Sequence, residues 1–113
     1  MPVEEIQDDR YLGSMFIESS SVVCIIDCYA DWCGPCKRAE PAFKKLSENF
    51  QDNYRFYKLN VDTKTLEIQK FLQENEISSI PAFLVVSEEK VIEKFGRITS
   101  LDEYLINQQV QSS

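Results

Sequence analysis

The stretch DWCGPCKRAEP, residues 31–41, places two cysteines three positions apart around a Gly-Pro pair. Before it stands VVCIIDCYA, residues 22–30, whose β-branched and apolar residues predict a strand that is buried on both faces. After it, apolar residues recur at helical spacing to about Phe50. Cys33 therefore lies where a central strand ends and a helix begins.

Elsewhere along the chain, the spacing of apolar residues predicts three further helices, another strand and a hairpin. The helices are predicted to begin at Asp8 or Asp9, at Asp62 or Thr63, and at Ser100. In residues 54–61 the side-chain character alternates from one residue to the next, which predicts a strand. AFLVVS and VIEKF are predicted to form a hairpin around Glu88-Glu89-Lys90. A strand, a helix and a strand in succession predict a parallel pair, and the hairpin predicts an antiparallel one. We therefore expect an α/β fold, a mixed sheet with helices on both faces, and a frayed tail in residues 110–113.

Length and composition exclude several classes of function. The chain has 113 residues, which fits a single domain, and its net charge of −7 argues against nucleic-acid binding, which needs a basic patch. Histidine is absent, so His-dependent hydrolases and most zinc sites are excluded. The acidic start MPVEEIQDD lacks the features of a signal peptide, and VVCIIDCYA is too short to span a bilayer. We therefore expect a cytoplasmic protein with no membrane association, in a compartment where thiols are kept reduced.

A metal site is one of three uses that Cys33 and Cys36 allow, beside a permanent crosslink and electron transfer. A closed zinc site needs four ligands, and the only other cysteines are Cys24 and Cys28. On a strand these two lie about 13 Å apart, so they cannot both reach one ion and fit better as small buried side chains. No carboxylates are spaced to complete another kind of site, and we predict no bound metal. A reducing compartment disfavours a permanent crosslink, which leaves a redox-active pair as the favoured use.

A redox-active pair fits the position of Cys33 at a helix N-terminus. The unpaired N–H groups and the helix dipole there favour an anion by about 1–2 kcal/mol, which lowers a thiol pKa by roughly one unit. Cys36 lies one turn further along and can close a disulfide with Cys33 after Cys33 has attacked a target. Gly34 lets the backbone of a partner approach, and Pro35 fixes φ in the first helical turn.

The motif WCGPCK, residues 32–37, resembles the active-site signature of the thioredoxin family, and the resemblance covers about residues 4–109. It implies a thioredoxin fold, with four to five strands in a central mixed sheet flanked by about four helices, in a single domain of residues 1–113. It also implies that no cofactor is bound. Electrons would come from a separate thioredoxin reductase-like enzyme, an NADPH-dependent flavoenzyme.

Asp27 lies inside an apolar strand, where burial would raise its pKa towards the neutral range of a general acid or base. The alternative is an exposed aspartate on an edge strand. By the resemblance, Asp27 matches a buried aspartate that assists proton transfer to and from the second cysteine, here Cys36. Lys58 matches a lysine that lies near this aspartate on the neighbouring strand, although the residues alone also fit a surface lysine.

Pro81 in SSIPAF matches the cis-proline that faces the dithiol in the family. The backbone of Ile80 before it would pair with an extended segment of the substrate. Trp32 and Gly96 match residues of the flat apolar rim around Cys33. The resemblance therefore implies a substrate-binding surface that consists of Trp32, Gly34, Pro35, Ile80, Pro81 and Gly96.

Together these inferences predict a monomeric protein-disulfide reductase that acts on disulfide-containing proteins and maintains cytoplasmic thiol balance. Cys33 would be the nucleophile, Cys36 the resolving thiol, and Asp27 with Lys58 the groups that support proton transfer. Two alternatives stay open. One is an oxidase or isomerase of a secretory compartment, although family members of that kind commonly carry histidine between the cysteines. The other is a thioredoxin-fold binding or adaptor subunit whose redox chemistry is dispensable.

Overall fold

Strands and helices alternate along the chain in the computed structural model, which describes residues 2–112. The strands are β1 (Val3–Glu5), β2 (Val23–Tyr29), β3 (Tyr54–Asn60), β4 (Ala82–Ser87) and β5 (Lys90–Phe95). The helices are α1 (Asp9–Glu18), α2 (Gly34–Asn49), α3 (Leu66–Glu74) and α4 (Ile98–Ser112). This order confirms the predicted α/β class.

The strands form one mixed sheet in the order β1-β3-β2-β4-β5. β2 and β3 are parallel, as the strand–helix–strand order predicts, and β1 adds to β3 in the same direction. β4 runs antiparallel to β2, and β5 antiparallel to β4, which confirms the predicted hairpin. The apolar run of residues 22–30 therefore supplies the central strand of the sheet.

The hydrophobic core lies in two layers, one on each face of the sheet. The first layer packs against α1 and α3 and contains Cys24, Ile26 and Cys28 from β2. The second packs against α2 and α4 and contains Ile25 from the same strand. Because successive side chains of a strand point to opposite faces, Asp27 lies on the α2 face with Ile25. The predicted helices on both faces are confirmed.

Several predicted boundaries are wrong. Strand β1 was not predicted at all, because three residues that include two glutamates carry too little hydrophobic pattern. Helix α3 begins at Leu66 instead of at Asp62 or Thr63, and α4 begins at Ile98 instead of at Ser100. Helix α4 continues to Ser112, and the fraying predicted for residues 110–113 stays a prediction. Ser113 lies outside the described residues.

The start of α3 depends on a contact with α1. The carboxylate of Asp9 accepts hydrogen bonds from the Thr65 hydroxyl group at 2.6 Å and from the backbone N–H of Ile68 at 3.1 Å. The Asp9 side chain therefore accepts hydrogen bonds from the first turn of α3, a task that the N-cap residue of the helix itself normally performs. The hydrogen bond from Thr65 is the main cause that lowers the pKa of Asp9.

Candidate functional site

A disulfide bond joins Cys33 and Cys36 at the junction of β2 and α2. Cys33 is the N-cap residue of α2, and its Sγ accepts a hydrogen bond from the backbone N–H of Cys36 at 3.2 Å. Both cysteines are only 4% exposed and pack with Ala30. Cys33, which the sequence predicts to be the nucleophile, therefore lies at the N-terminus of a 16-residue helix, where backbone N–H groups stabilise an anion.

Trp32, Gly34 and Pro35 are the neighbours of Cys33 in the sequence. Trp32 is 71% exposed, and its ring N–H donates a hydrogen bond to the Asp62 carboxylate at 2.8 Å. This bond ties the loop before α2 to the segment after β3. Gly34 and Pro35 form the first turn of α2, and Pro35 is exposed. These three residues therefore form an accessible surface next to Cys33.

Ile80 lies against the disulfide, and Pro81 follows it directly before β4. The Ile80–Pro81 peptide bond is cis, as the resemblance implied. The carbonyl oxygen of Ile80 lies 3.8 Å from Cys33 Sγ, and the Ile80 side chain packs against the cluster that contains both cysteines. The backbone of Ile80 is thus directly beside the sulfur atom.

Gly96 lies at the same end of the sheet. It directly follows Phe95, which pairs in register with Phe83, two residues after Pro81. Gly96 is exposed, and a Cβ atom placed on it would meet no atom within 4 Å. A role for Gly96 in the rim around Cys33 stays a prediction.

Asp27 is buried on β2, which contradicts the alternative of an exposed edge-strand aspartate. Only 5% of the residue is exposed, and its Oδ1 atom is buried without a hydrogen-bond partner among the described residues. Burial raises the pKa of Asp27 to about 7; the negative charge of Glu40 adds to the rise and the positive charge of Lys58 opposes it. A carboxyl group in this state can both accept and donate a proton near neutral pH.

A cavity of about 560 Å³ connects Asp27 with the second cysteine. Asp27 and Cys36 both line it, together with Lys58 and Glu40. The structure therefore brings together three of the predicted site residues, Asp27, Cys36 and Lys58, around one space. Cys33 does not line this cavity, and its Sγ lies beside the Ile80 carbonyl oxygen.

Lys58 lies next to Asp27 in the sheet, but its ion pair is with another residue. Lys58 and Asp27 are register partners across β3 and β2. The ammonium Nζ of Lys58 lies 3.8 Å from Glu5 Oε1, and the same oxygen accepts a hydrogen bond from the Tyr29 hydroxyl group at 2.8 Å. The sequence did not predict that Glu5 belongs to the site, because Glu5 reaches Lys58 only through the pairing of β1 with β3, and β1 was not predicted. The acidic pair Glu4-Glu5 beside Val3 and Ile6 was the only indication in the sequence.

Cys24 and Cys28 are free thiols buried in the core on the opposite face of β2. Burial raises the pKa of Cys24 to about 12, and burial also raises the pKa of Cys28. Both therefore remain protonated and unreactive at neutral pH, which is consistent with their interpretation as small hydrophobic side chains.

Among residues 2–112, no three side chains of His, Cys, Asp or Glu are grouped in a way that could hold a metal ion. Within the same residues, no helix has the length and apolar character needed to cross a membrane.

Comparisons with known proteins point to one family. The family model described as thioredoxin matches residues 3–109. Thioredoxin AMT13 of Alternaria alternata is 37% identical over 95 residues, which are 83% of this chain and 75% of that protein. Thioredoxin Asp f 29 of Aspergillus fumigatus is 37% identical over 97 residues, 83% of each chain. The solved structure of a reduced thioredoxin pre-protein of Schistosoma mansoni has a TM-score of 0.79 at 27% identity, over 93% of this chain and 96% of that one.

Proposed function

This chain belongs to the thioredoxin family and is a protein-disulfide oxidoreductase that acts by dithiol–disulfide exchange, and we propose that Cys33 is its attacking thiolate and Cys36 its resolving thiol. The observation that carries this assignment is the Cys33–Cys36 disulfide at the N-terminus of α2, with Cys33 as the N-cap residue and Cys36 lining the Asp27 cavity. The direction that we propose is reduction of disulfides in other proteins.

The first step is attack by the Cys33 thiolate on a target disulfide. The target S–S bond breaks, a mixed disulfide forms between Cys33 and one target sulfur, and the other target sulfur leaves as a thiolate with the electron pair. The N–H group of Cys36, which points at Cys33 Sγ, supports the negative charge on Cys33 before the attack.

The second step releases the target. Asp27 accepts the proton of Cys36, and the Cys36 thiolate attacks Cys33 Sγ. The Cys33–Cys36 bond forms, and the second target sulfur leaves as a thiolate. Two electrons have then moved from this dithiol to the target. Asp27 and Cys36 line the same cavity, and the Asp27 pKa is about 7, which supports Asp27 as the proton acceptor. Lys58 lines this cavity too, and its positive charge lowers the Asp27 pKa.

Docking of the target is proposed to use the surface beside Cys33. An extended segment would pair with the backbone of Ile80, next to the cis bond to Pro81, and rest on Trp32, Gly34, Pro35 and Gly96. The distance of 3.8 Å between Cys33 Sγ and the Ile80 carbonyl oxygen supports this, since a segment paired at Ile80 would lie against the sulfur. Replacing Trp32 with alanine and measuring KM for a protein disulfide checks the contribution of the exposed ring.

We propose that a thioredoxin reductase-like flavoenzyme returns electrons from NADPH, which coupled NADPH consumption would detect. A reductase of this kind works in a reducing compartment, and we propose the cytoplasm, to be checked by fractionation. We also propose that residues 1–113 function as one monomeric domain, with light scattering at working concentration as the measurement.

Turnover of a protein disulfide tests the assignment of the nucleophile. Reduction of insulin by the Cys33→Ser variant, with dithiothreitol as electron donor, should fall to the rate of the donor alone, because serine cannot form the mixed disulfide. The control is Cys24→Ala, which removes a thiol on the opposite face of β2 and should leave turnover near the parent rate. Parent-like turnover by Cys33→Ser would show that the assignment is wrong.

A further inference from the structure

Glu5, Lys58 and Asp27 form a row across three neighbouring parallel strands. Glu5 of β1 pairs in register with Lys58 of β3, and Lys58 pairs in register with Asp27 of β2. Residues in register on adjacent strands point to the same face of a sheet, so the Lys58 ammonium group stands between two carboxyl groups. It can approach either of them, and the structure places it 3.8 Å from Glu5.

Tyr29 adds two contacts that hold this arrangement. Its hydroxyl group donates a hydrogen bond to Glu5 Oε1 at 2.8 Å, so one carboxylate oxygen faces both the phenol and the ammonium group. The Lys58 Nζ atom also lies 5.6 Å from the centre of the Tyr29 ring, within the range of a cation–π contact. Glu5 and Tyr29 together thus bind the cation, and Lys58 forms its ion pair with Glu5 and none with Asp27, whose Oδ1 has no hydrogen-bond partner among the described residues.

We propose that Glu5 is a positioning residue of the redox site, which draws the Lys58 ammonium group away from Asp27 and so leaves the buried Asp27 carboxylate free to accept the proton of Cys36. This inference rests on the proposed function, in which Asp27 is that acceptor. In the step concerned, the Cys36 S–H bond breaks and the proton goes to Asp27. The electron pair stays on Cys36 sulfur, which then displaces the target sulfur from Cys33.

Other charged and titratable groups also face Asp27. The cavity beside Asp27 is lined by Lys58 of β3 and by Tyr29, Asp31, Cys36, Lys37, Glu40 and Lys44. Glu5 of β1 does not line it, but its negative charge also raises the pKa of Asp27. From β4, the register partner of Asp27 is the fully buried Phe83, which carries no charge. Glu40 is exposed, so solvent screens its effect, and its place on α2 does not depend on β1.

Loss of the Glu5 charge should act on Asp27 in one direction. In Glu5→Gln the amide oxygen can still accept a hydrogen bond from the Tyr29 hydroxyl group. The Lys58 ammonium group, however, loses its counter-charge, and Asp27 is the next carboxylate in the row. A cation within about 4–6 Å lowers a carboxyl pKa by roughly 1–3 units. Asp27 would then be a weaker base towards Cys36.

The test is the titration of Asp27 in the oxidised protein, where neither active-site thiol titrates. The carboxyl carbons of aspartate are labelled with ¹³C, and the Asp27 signal is assigned by its loss in Asp27→Asn. We expect its midpoint to fall by about one pH unit or more in Glu5→Gln. The pH profile of single-turnover reduction of insulin should move downward by a similar amount.

Glu4→Gln is the matched control, because it removes the same charge from the same strand. Glu4 lies on the opposite face of β1, where it accepts a hydrogen bond from the Tyr11 hydroxyl group, so the Asp27 midpoint should stay within about 0.3 units of the parent value. An Asp27 midpoint in Glu5→Gln that stays equally close to the parent value would overturn the inference.

A double-mutant cycle separates positioning from a direct effect of the Glu5 charge. Lys58→Met should raise the Asp27 midpoint more in the Glu5→Gln background than in the parent chain, because the cation would act on Asp27 more strongly once Glu5 no longer holds it. Equal rises in both backgrounds would contradict the role through Lys58. Parent-like reduction of insulin by Asp27→Asn would instead overturn the proposed function of Asp27, and with it the purpose assigned to Glu5.

Discussion

Asp27 combines deep burial with an oxygen atom that has no hydrogen-bond partner among the described residues. Such a group costs free energy when it is ionised, because water no longer solvates the charge. Its pKa of about 7, against an ordinary value of 3.8, expresses this cost. The same property suits the proposed role of Asp27 as the base for Cys36, since a base with a pKa near 7 is half protonated at neutral pH.

Replacement of Asp27 should therefore stabilise the protein at alkaline pH. The unfolded chain loses the Asp27 proton near pH 4, whereas the folded chain holds it to about pH 7, so stability falls between these values. Above pH 7 this pKa shift corresponds to a destabilisation of the folded chain by about 4 kcal/mol. Only part of this free energy is regained in Asp27→Asn, because the asparagine amide is also a buried polar group. We expect the free energy of unfolding of Asp27→Asn to exceed that of the parent by about 2–4 kcal/mol at pH 8.

Denaturant titrations at pH 8 and at pH 4 measure this difference. The gain should shrink as the pH approaches 4, since both states of the parent are then protonated. Asp52→Asn, at an exposed position, serves as the control and should change stability little at either pH. A loss of stability in Asp27→Asn at pH 8 would show that the Asp27 carboxylate is better accommodated than the structure indicates.

At the scale of single elements, the turn between β4 and β5 is held by the end of α1. Glu88 and Glu89 have φ values of 51° and 64°, a left-handed backbone for which glycine or asparagine is the usual choice. The buried Ser19 compensates for this. Its carbonyl oxygen accepts the N–H of Glu88 at 2.9 Å, and its hydroxyl oxygen accepts the N–H of Glu89 at 2.9 Å.

Removal of the Ser19 hydroxyl group should destabilise the fold. In Ser19→Ala the N–H of Glu89 loses its partner at a part-buried position, and the expected loss in free energy of unfolding is about 1–2 kcal/mol. Urea denaturation is the measurement. Ser20→Ala is the matched control, because that serine is exposed and its hydroxyl group lies 3.4 Å from the Glu89 carboxylate, so a change below about 0.5 kcal/mol is expected. Equal effects of the two substitutions would contradict the role given to Ser19.

For the whole molecule, the sequence predicts the elements with strong periodicity and fails where distant residues decide. The apolar run of β2 and the helical spacing of α2 identify the central strand and the helix that carries the cysteines. The start of α3 could not be predicted, because Asp9 on α1 supplies the hydrogen bonds of its first turn. Strand β1 was missed because it is stabilised by pairing with β3 and has little pattern of its own.

The candidate site shows the same division. The cysteine pair, the polar residue in an apolar strand and the match of Pro81 are visible in the sequence. The ion pair between Lys58 and Glu5 is not, because it joins residues 53 positions apart in the chain through a strand that the pattern does not reveal. Sequence therefore predicts the candidate reacting groups, and the structure adds Glu5, the charge that we propose adjusts the pKa of Asp27.

The proposed mechanism makes the two cysteines unequal, since Cys33 lies beside the Ile80 carbonyl oxygen and Cys36 lines the Asp27 cavity. Mass spectrometry of the Cys36→Ser variant, incubated in reduced form with a protein disulfide, tests this directly. We predict a stable covalent adduct with one target molecule, bonded through Cys33, that the parent chain resolves. Absence of such an adduct, or an adduct through Cys24 or Cys28, would contradict the account.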